Sequence, residues 1–268
     1  MQNKGQILDQ ATLSTLLNDT PLKEIKVVKQ ISSTNKVLKQ QGEKGYDGDC
    51  LMVANSQTDG VGRYDRKFFS PSDSGVYFSL AINPKIEIAL TTNITVLMAV
   101  AVAQAIEEFS KKRCDIKWVN DLLVNSKKVC GILTEGSINL ETMSMNFVIV
   151  GVGINLYSPT DGFDKTIKNI AGGIFDKKDS IDKNEFVAKI IKNFYNYLPN
   201  LNSPALFDEY QKRLAFIGQK VDVLKNSQKI FEGIVLGIDE SFKLIVKNLA
   251  DGQIVKLDSG EISTRQNK

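Results

Sequence analysis

Residues 56–70 read S-Q-T-D-G-V-G-R-Y-D-R-K-F-F-S, and residues 117–136 read K-W-V-N-D-L-L-V-N-S-K-K-V-C-G-I-L-T-E-G. The first is a glycine-bearing loop with Arg63, Arg66 and Lys67, set between the apolar runs 51–54 and 75–82. The second reads as two strands folded about Asn125-Ser126, with cations at both ends. Glycine lets a backbone approach a ligand closely, and clustered cations suit an anionic one. The loop joins strand to strand, which excludes two nucleotide motifs. A dinucleotide fingerprint needs a third glycine, where Asp65 stands, and both it and the P-loop open a helix.

Residues 7–19 carry Leu8, Leu13, Leu16 and Leu17 at helical spacing, and 25–28 read as a strand. The corner Ser32-Ser33-Thr34-Asn35 either caps the helix that follows or hydrogen-bonds a ligand, and the two roles are compatible. Residues 91–113 predict a buried helix whose apolar middle, 94–105, is short for a bilayer and which ends in Lys111, Lys112 and Arg113. The run 147–150 leads into Gly151-Val-Gly-Ile-Asn155, a strand approached closely by a ligand or by another backbone. Asp182 and Glu185 form a capping box, and Ser203-Pro204 opens a further helix. Beyond Gly218 the texture changes to short strands at 221–223, 230–238, 244–247 and 254–257, the last two joined by a hairpin at 250–253. The chain is therefore expected to be α+β, with a larger domain over 1–215 and a small β domain over 216–268.

Composition narrows the chemistry. There are 34 basic and 31 acidic residues, a net charge of +3, so nothing marks a dedicated nucleic-acid binder. Histidine is absent, which removes histidine triads and histidine-ligated zinc. Cys50, Cys114 and Cys130 are unclustered and lack metal-ligand spacing, as expected of reduced thiols in a cytoplasmic protein. No metal site is expected. The N-terminus lacks the pattern of a secretory signal.

Six short segments in order resemble the bacterial biotin protein ligases. They are S-T-N at 33–35, the Q-T-x-G-x-G-R loop from Gln57, K-W-x-N-D at 117–121, K-x-x-G-I-L from Lys128, G-x-G-I-N at 151–155 and G-E-I-S-x-R at 260–265. The resemblance implies a mixed-sheet catalytic domain similar to class II tRNA synthetases and lipoate ligases, followed by an SH3-like barrel. It implies that biotin and ATP, with Mg2+ on the phosphates and no tightly bound prosthetic group, give biotinyl-5′-adenylate and pyrophosphate. The biotinyl group then passes to a lysine of an apo biotin carboxyl carrier domain of acetyl-CoA carboxylase. Such chemistry needs no enzyme nucleophile, because the substrate carboxylate attacks; the protein's part is positioning and charge neutralisation.

Carried over by position, Ser33, Thr34, Asn35 and Gln57 contact the biotin ring system, and Gly60, Val61, Gly62 and Arg63 form the loop that folds over it. Lys128 holds the carboxylate and Gly131 leaves room for the ring. Arg63, Arg66, Asn120, Asn155 and Arg265 serve the nucleotide, with Lys128 and Arg63 as the catalytic cations. Trp118 is a core or pocket-wall residue, and Asp121 orients Asn120. The chain departs from the usual loop G-R-G-R-R-G-R at Val61, Tyr64 and Asp65, which removes two cations and one glycine. Val119 replaces a proline, and Phe68 a tryptophan. The loop over 58–69 is expected to order on its ligand. About thirty residues precede Ser33, too few for the winged helix-turn-helix of the family's repressor members, so no DNA partner is expected. Nor is a membrane partner; monomer and homodimer both remain open.

Overall fold

The computed structural model describes residues 7–83, 91–139, 141, 144–178, 181–225, 228–258 and 260–263. Seven strands build one mixed sheet: β1 (Leu22–Ile31), β2 (Asp49–Gln57), β3 (Gly75–Ile82), β4 (Asp115–Lys117), β5 (Asp121–Val124), β6 (Lys127–Asn139) and β7 (Ser144–Asn155). Their order is β1-β2-β3-β7-β6-β5-β4. β1 and β2 are parallel and are joined through helix α2 (Thr34–Gly42); the remaining neighbours are antiparallel. At Asn125 and Ser126 φ is +50° and +62°, the left-handed pair that a two-residue hairpin turn demands.

Alternation along the central strands divides the sheet into two faces. Val76, Phe78, Leu80, Val148, Val150, Val152 and Ile154 enter the main core. That core holds helices α1 (Gln10–Leu16), α3 (Thr91–Ser110), α4 (Lys183–Tyr197) and α5 (Pro204–Gln211). α3 has the length and apolarity of a membrane-crossing helix, but it is largely buried in this core. On the opposite face α2 covers one end through Leu38, Cys50, Met52, Ala81, Phe147 and Ile149. Beyond α2 that face carries Ser79, Gly151, Gly153, Gly131 and Glu135, and the site lies there.

The expected caps are in place. Ser33 precedes α2, Asp182 accepts from the backbone of Asn184 and Glu185, and Ser203 caps α5. The helix expected over 91–113 stops at Ser110 instead, because Lys111 turns left-handed at φ +57°. Lys112 then donates to the Ile174 carbonyl and pairs with Asp176, while Arg113 pairs with Asp115. Those cations serve the following connection, not the last turn of the helix.

The C-terminal residues form an antiparallel sheet of five strands ordered β11-β10-β9-β8-β12. They are β8 (Lys220–Lys225), β9 (Gln228–Ile238), β10 (Leu244–Asn248), β11 (Ile254–Leu257) and β12 (Glu261–Ser263). β12 closes onto β8, a pairing that the sequence texture did not announce. The two sheets meet where the Trp118 indole N–H donates to the Phe242 carbonyl at 2.9 Å and Tyr210 packs edge-on to Phe242.

Candidate active site

One cavity of about 360 Å³ opens on the sheet face beyond α2. Its walls include Ser33, Thr34, Asn35, Gln57, Val61, Gly62, Arg63, Arg66, Asn120, Lys128 and Gly131, so most of the residues singled out in the sequence converge there. Gly60 lines a neighbouring cavity on the far side of the loop. Asn155 is buried at the end of β7 and is not among the residues lining the cavity. Arg265 lies outside the described residues.

Lys128 reaches this cavity through an irregularity. Along a regular strand, residues three apart point to opposite faces. Here Cys130 pairs with Leu122 but Lys128 with Leu123, so β6 carries one extra residue at Val129. This bulge turns Lys128 and Gly131 to the same side. The Lys128 ammonium lies 2.5 Å from the Asp121 carboxylate. Asp121, read from sequence as an orienting residue for Asn120, therefore also holds the cation. The Lys128 backbone is fixed by a further segment, donating to Ile170 at 2.8 Å and accepting from Gly172 at 3.0 Å. Ile167 and Ile170 of that segment add an apolar wall to the cavity, and Ile262 adds another from β12.

Glycines floor the site. Gly131 and Gly153 are cross-strand partners, and a Cβ on Gly153 would come within 2.4 Å of the Phe68 ring. A Cβ on Gly151 would meet the Asn35 amide at 2.1 Å. The pattern G-x-G at 151–153 thus serves side chains, Asn35 and Phe68, that pack closely on β7.

The loop closes over this floor as a small hairpin. Val61 bridges Lys67, Gly62 donates to the Arg66 carbonyl at 2.7 Å, and Phe68 donates to that of Gly60 at 2.8 Å. Its tip places Tyr64 and Asp65 at φ +56° and +55°. The Tyr64 ring stands 5.1 Å from the Arg63 guanidinium carbon and 5.9 Å from that of Arg66. Arg63 also donates to the Asn120 amide oxygen and to the Tyr64 hydroxyl, both at 3.2 Å. Asn120 is held in turn by donation to the Ile132 carbonyl at 2.7 Å.

Arg63, Arg66, Lys67, Lys117 and Lys128 therefore line a single cleft together with the Asp121 carboxylate. Such a site attracts and neutralises anions. It contains no activated thiol: burial pushes Cys50 up to about 12 and raises Cys114 and Cys130 as well. What the arrangement can do is hold two negatively charged reactants together and stabilise the charge that moves between them.

Comparison with known proteins agrees with this geometry. Residues 27–155 match the biotin/lipoate A/B protein ligase family, and residues 216–265 match the biotin protein ligase C-terminal domain. The bifunctional ligase/repressor BirA of Bacillus subtilis is 33% identical over 224 residues, covering 81% of this chain and 67% of that protein. The biotin–[acetyl-CoA-carboxylase] ligase of Mycobacterium tuberculosis is 25% identical over 252 residues, covering 90% and 88%. Among solved structures, the biotin protein ligase of Aquifex aeolicus in complex with biotin and ATP superimposes with a TM-score of 0.74 at 26% identity, covering 90% of this chain and 98% of that one. The fold and site define a ligase that brings together a carboxylic acid and a nucleotide. The chain belongs to the biotin protein ligase family.

Proposed function

We propose that this chain activates biotin with ATP, forming biotinyl-5′-adenylate and pyrophosphate, and then transfers the biotinyl group to a lysine of a biotin carboxyl carrier domain. The observation that carries the reading is the placement of Lys128, fixed by Asp121 and the β6 bulge, in the same cavity as Arg63, Asn120 and the Thr34–Gln57 pair. ATP enters as its Mg2+ complex, and no prosthetic group is required.

In the first step the biotin carboxylate attacks the α-phosphorus and pyrophosphate leaves. Lys128 steadies the attacking carboxylate, and Arg63 with Arg66 neutralises phosphate charge. Biotin's bicyclic end lies against Ser33, Thr34, Asn35 and Gln57 in this reading, and the nucleotide lies toward Asn120, Ile167 and Ile170. Asn155 and Arg265 keep the nucleotide roles that the family resemblance implies for them. In the second step an acceptor amine attacks the mixed anhydride and AMP leaves.

Several finer assignments belong to the same proposal. The catalytic unit spans 1–215 and resembles class II tRNA synthetases; residues 216–268 form an SH3-like barrel. The enzyme works in the cytoplasm, consistent with three free, buried cysteines. It acts as a monomer or homodimer without DNA. The test is incubation of the purified chain with biotin, ATP, Mg2+ and an apo carrier domain, read by mass spectrometry. One biotinyl addition is expected. No addition, or equal addition of lipoate, would refute the reading.

A further inference from the structure

The Thr34 end of the cavity is backed by a hydrogen-bonded chain that extends beyond its walls. Asn35 donates through Nδ2 to the Glu135 carboxylate at 3.0 Å and to the Leu133 carbonyl at 3.3 Å. Its Oδ1 lies 2.5 Å from the hydroxyl of Ser79, which lies 2.6 Å from that of Thr34. The Thr34 backbone N–H donates to Gln57 Oε1 at 2.9 Å, and Gln57 Nε2 donates to Ser70 Oγ at 3.1 Å. Glu135 is anchored on its outer side by Lys39 at 3.0 Å. Ser79 is fully buried, and neither Ser79 nor Glu135 lines the cavity.

Proton counting gives this chain a direction. A carboxylate and a backbone carbonyl can only accept, so the Asn35 amide has its nitrogen toward Glu135 and Leu133. Its oxygen then faces Ser79 and carries no proton, so the single Ser79 proton fills that 2.5 Å contact. The Thr34 proton then has two acceptors within reach, Ser79 Oγ at 2.6 Å and Gln57 Oε1 at 3.2 Å, and either one takes it away from the cavity. Thr34 is left showing lone pairs to the cavity. Gln57 is pinned in the opposite sense, because the Thr34 N–H can only donate to it. One N–H of Gln57 goes to Ser70, and the other is left for the cavity that Gln57 lines.

We propose that Glu135 and Ser79 are positioning residues that set the hydrogen-bond polarity of this subsite, making Thr34 an acceptor beside a Gln57 donor. A cyclic urea matches that pair, since it presents a ring N–H next to a carbonyl oxygen. The proposal rests on the reading of the site as one for biotin. It assigns specificity to a carboxylate and a hydroxyl that do not line the cavity, because a polar ring with unmatched partners is strongly rejected from a buried site.

Ser79→Ala, Glu135→Leu and Glu135→Gln test it, with biotin affinity measured by calorimetry and KM for biotin and for ATP measured in adenylate formation. Ser79→Ala and Glu135→Leu are expected to raise the Kd and KM for biotin about tenfold, while the KM for ATP, kcat and Tm change far less. Glu135→Gln keeps an oxygen that accepts from Asn35, and is expected to restore biotin affinity to within about threefold of the unmodified enzyme. Unchanged biotin affinity in Glu135→Leu and Ser79→Ala would overturn the proposal. So would a loss in Glu135→Gln equal to that in Glu135→Leu, which would assign the effect to the charge paired with Lys39. An unmodified enzyme that bound no biotin would remove the underlying reading as well, a failure visible before any variant is made.

Discussion

At the scale of the residue, the site turns on Lys128 and Tyr64. Lys128 was legible in the sequence because K-x-x-G-I-L fixes its distance from Gly131, yet simple alternation would have separated the two. The bulge at Val129 reconciles them, and nothing in a short apolar run signals a bulge. Its partner Asp121 is adjacent to Asn120 in sequence, which concealed its approach to Lys128 across the hairpin. Lys128→Ala is expected to slow single-turnover adenylate formation by roughly two to three orders of magnitude, the size typical of losing one transition-state charge contact. Rapid-quench measurement of biotinyl-5′-adenylate checks this, and a near-normal rate would remove Lys128 from its role. Tyr64 replaces a familiar cation, and the sequence suggested only a loss. In the structure its ring lies near both guanidinium groups, each such contact being worth about 0.5–1 kcal/mol at an exposed site. Tyr64→Ala is therefore expected to hasten adenylate escape several-fold, measured by chase with unlabelled biotin; an unchanged rate would show that the ring contributes nothing to the clamp.

At the scale of the element, the loop and the strands beneath it form one device. Gly131, Gly151 and Gly153 each lack a side chain where another residue needs the space. The G-x-G-I-N signature pointed to a close approach but could not say to what. The answers, Asn35 and Phe68, come from segments far away in sequence. Gly153→Ala is expected to displace the Phe68 ring and raise the KM for biotin or ATP about tenfold while leaving Tm within a few degrees, since an aromatic side chain can yield where backbone cannot. A variant with normal kinetics would mean that the Phe68 position is immaterial. The loop itself is a hairpin held by a few backbone bonds, and Arg63 and Arg66 both stand beside the Tyr64 ring at its tip. Amide exchange across 60–68 is expected to slow when biotin and ATP are added, because ordering is then offset by ligand contacts. Equal exchange in both states would contradict the proposed closure.

At the scale of the whole molecule, the change in texture after Gly218 announced a second sheet, but not how it is joined to the first. The joint depends on contacts between remote residues, Trp118 and Tyr210 with Phe242, and the pairing of Arg213 with Glu107 and Glu209 braces the segment that leads to it. Arg213 is buried and donates to Glu107 at 2.6 Å and to Glu209 at 2.7 Å, tying α3 to the segment that leads into the second sheet. Breaking such a pair leaves a partly buried carboxylate without its partner, a loss of about 3 kcal/mol or more. Arg213→Leu is thus expected to lower Tm by roughly 6–12 °C in a chain of this size, measured by calorimetry. Desolvation pushes the Glu209 carboxyl up, but hydrogen bonds from Lys212, Gln104 and Arg213 outweigh it and bring it to about 2. A depressed carboxylate contributes stability that is complete above its unfolded value near 4.5 and is lost as pH falls toward 2. Tm should decline over that interval, and less steeply in Glu209→Gln; identical acid profiles would exclude the cluster as a cause.

The site joins a carboxylic acid to a nucleotide, and pyrophosphate release tests that directly. With ATP and Mg2+ present, adding biotin without any acceptor is expected to release one pyrophosphate per enzyme in a rapid burst. Lipoate should produce none, and Lys128→Ala should lose the burst. Absence of biotin-dependent pyrophosphate from the unmodified chain, or an equal burst with lipoate, would contradict the account at its centre.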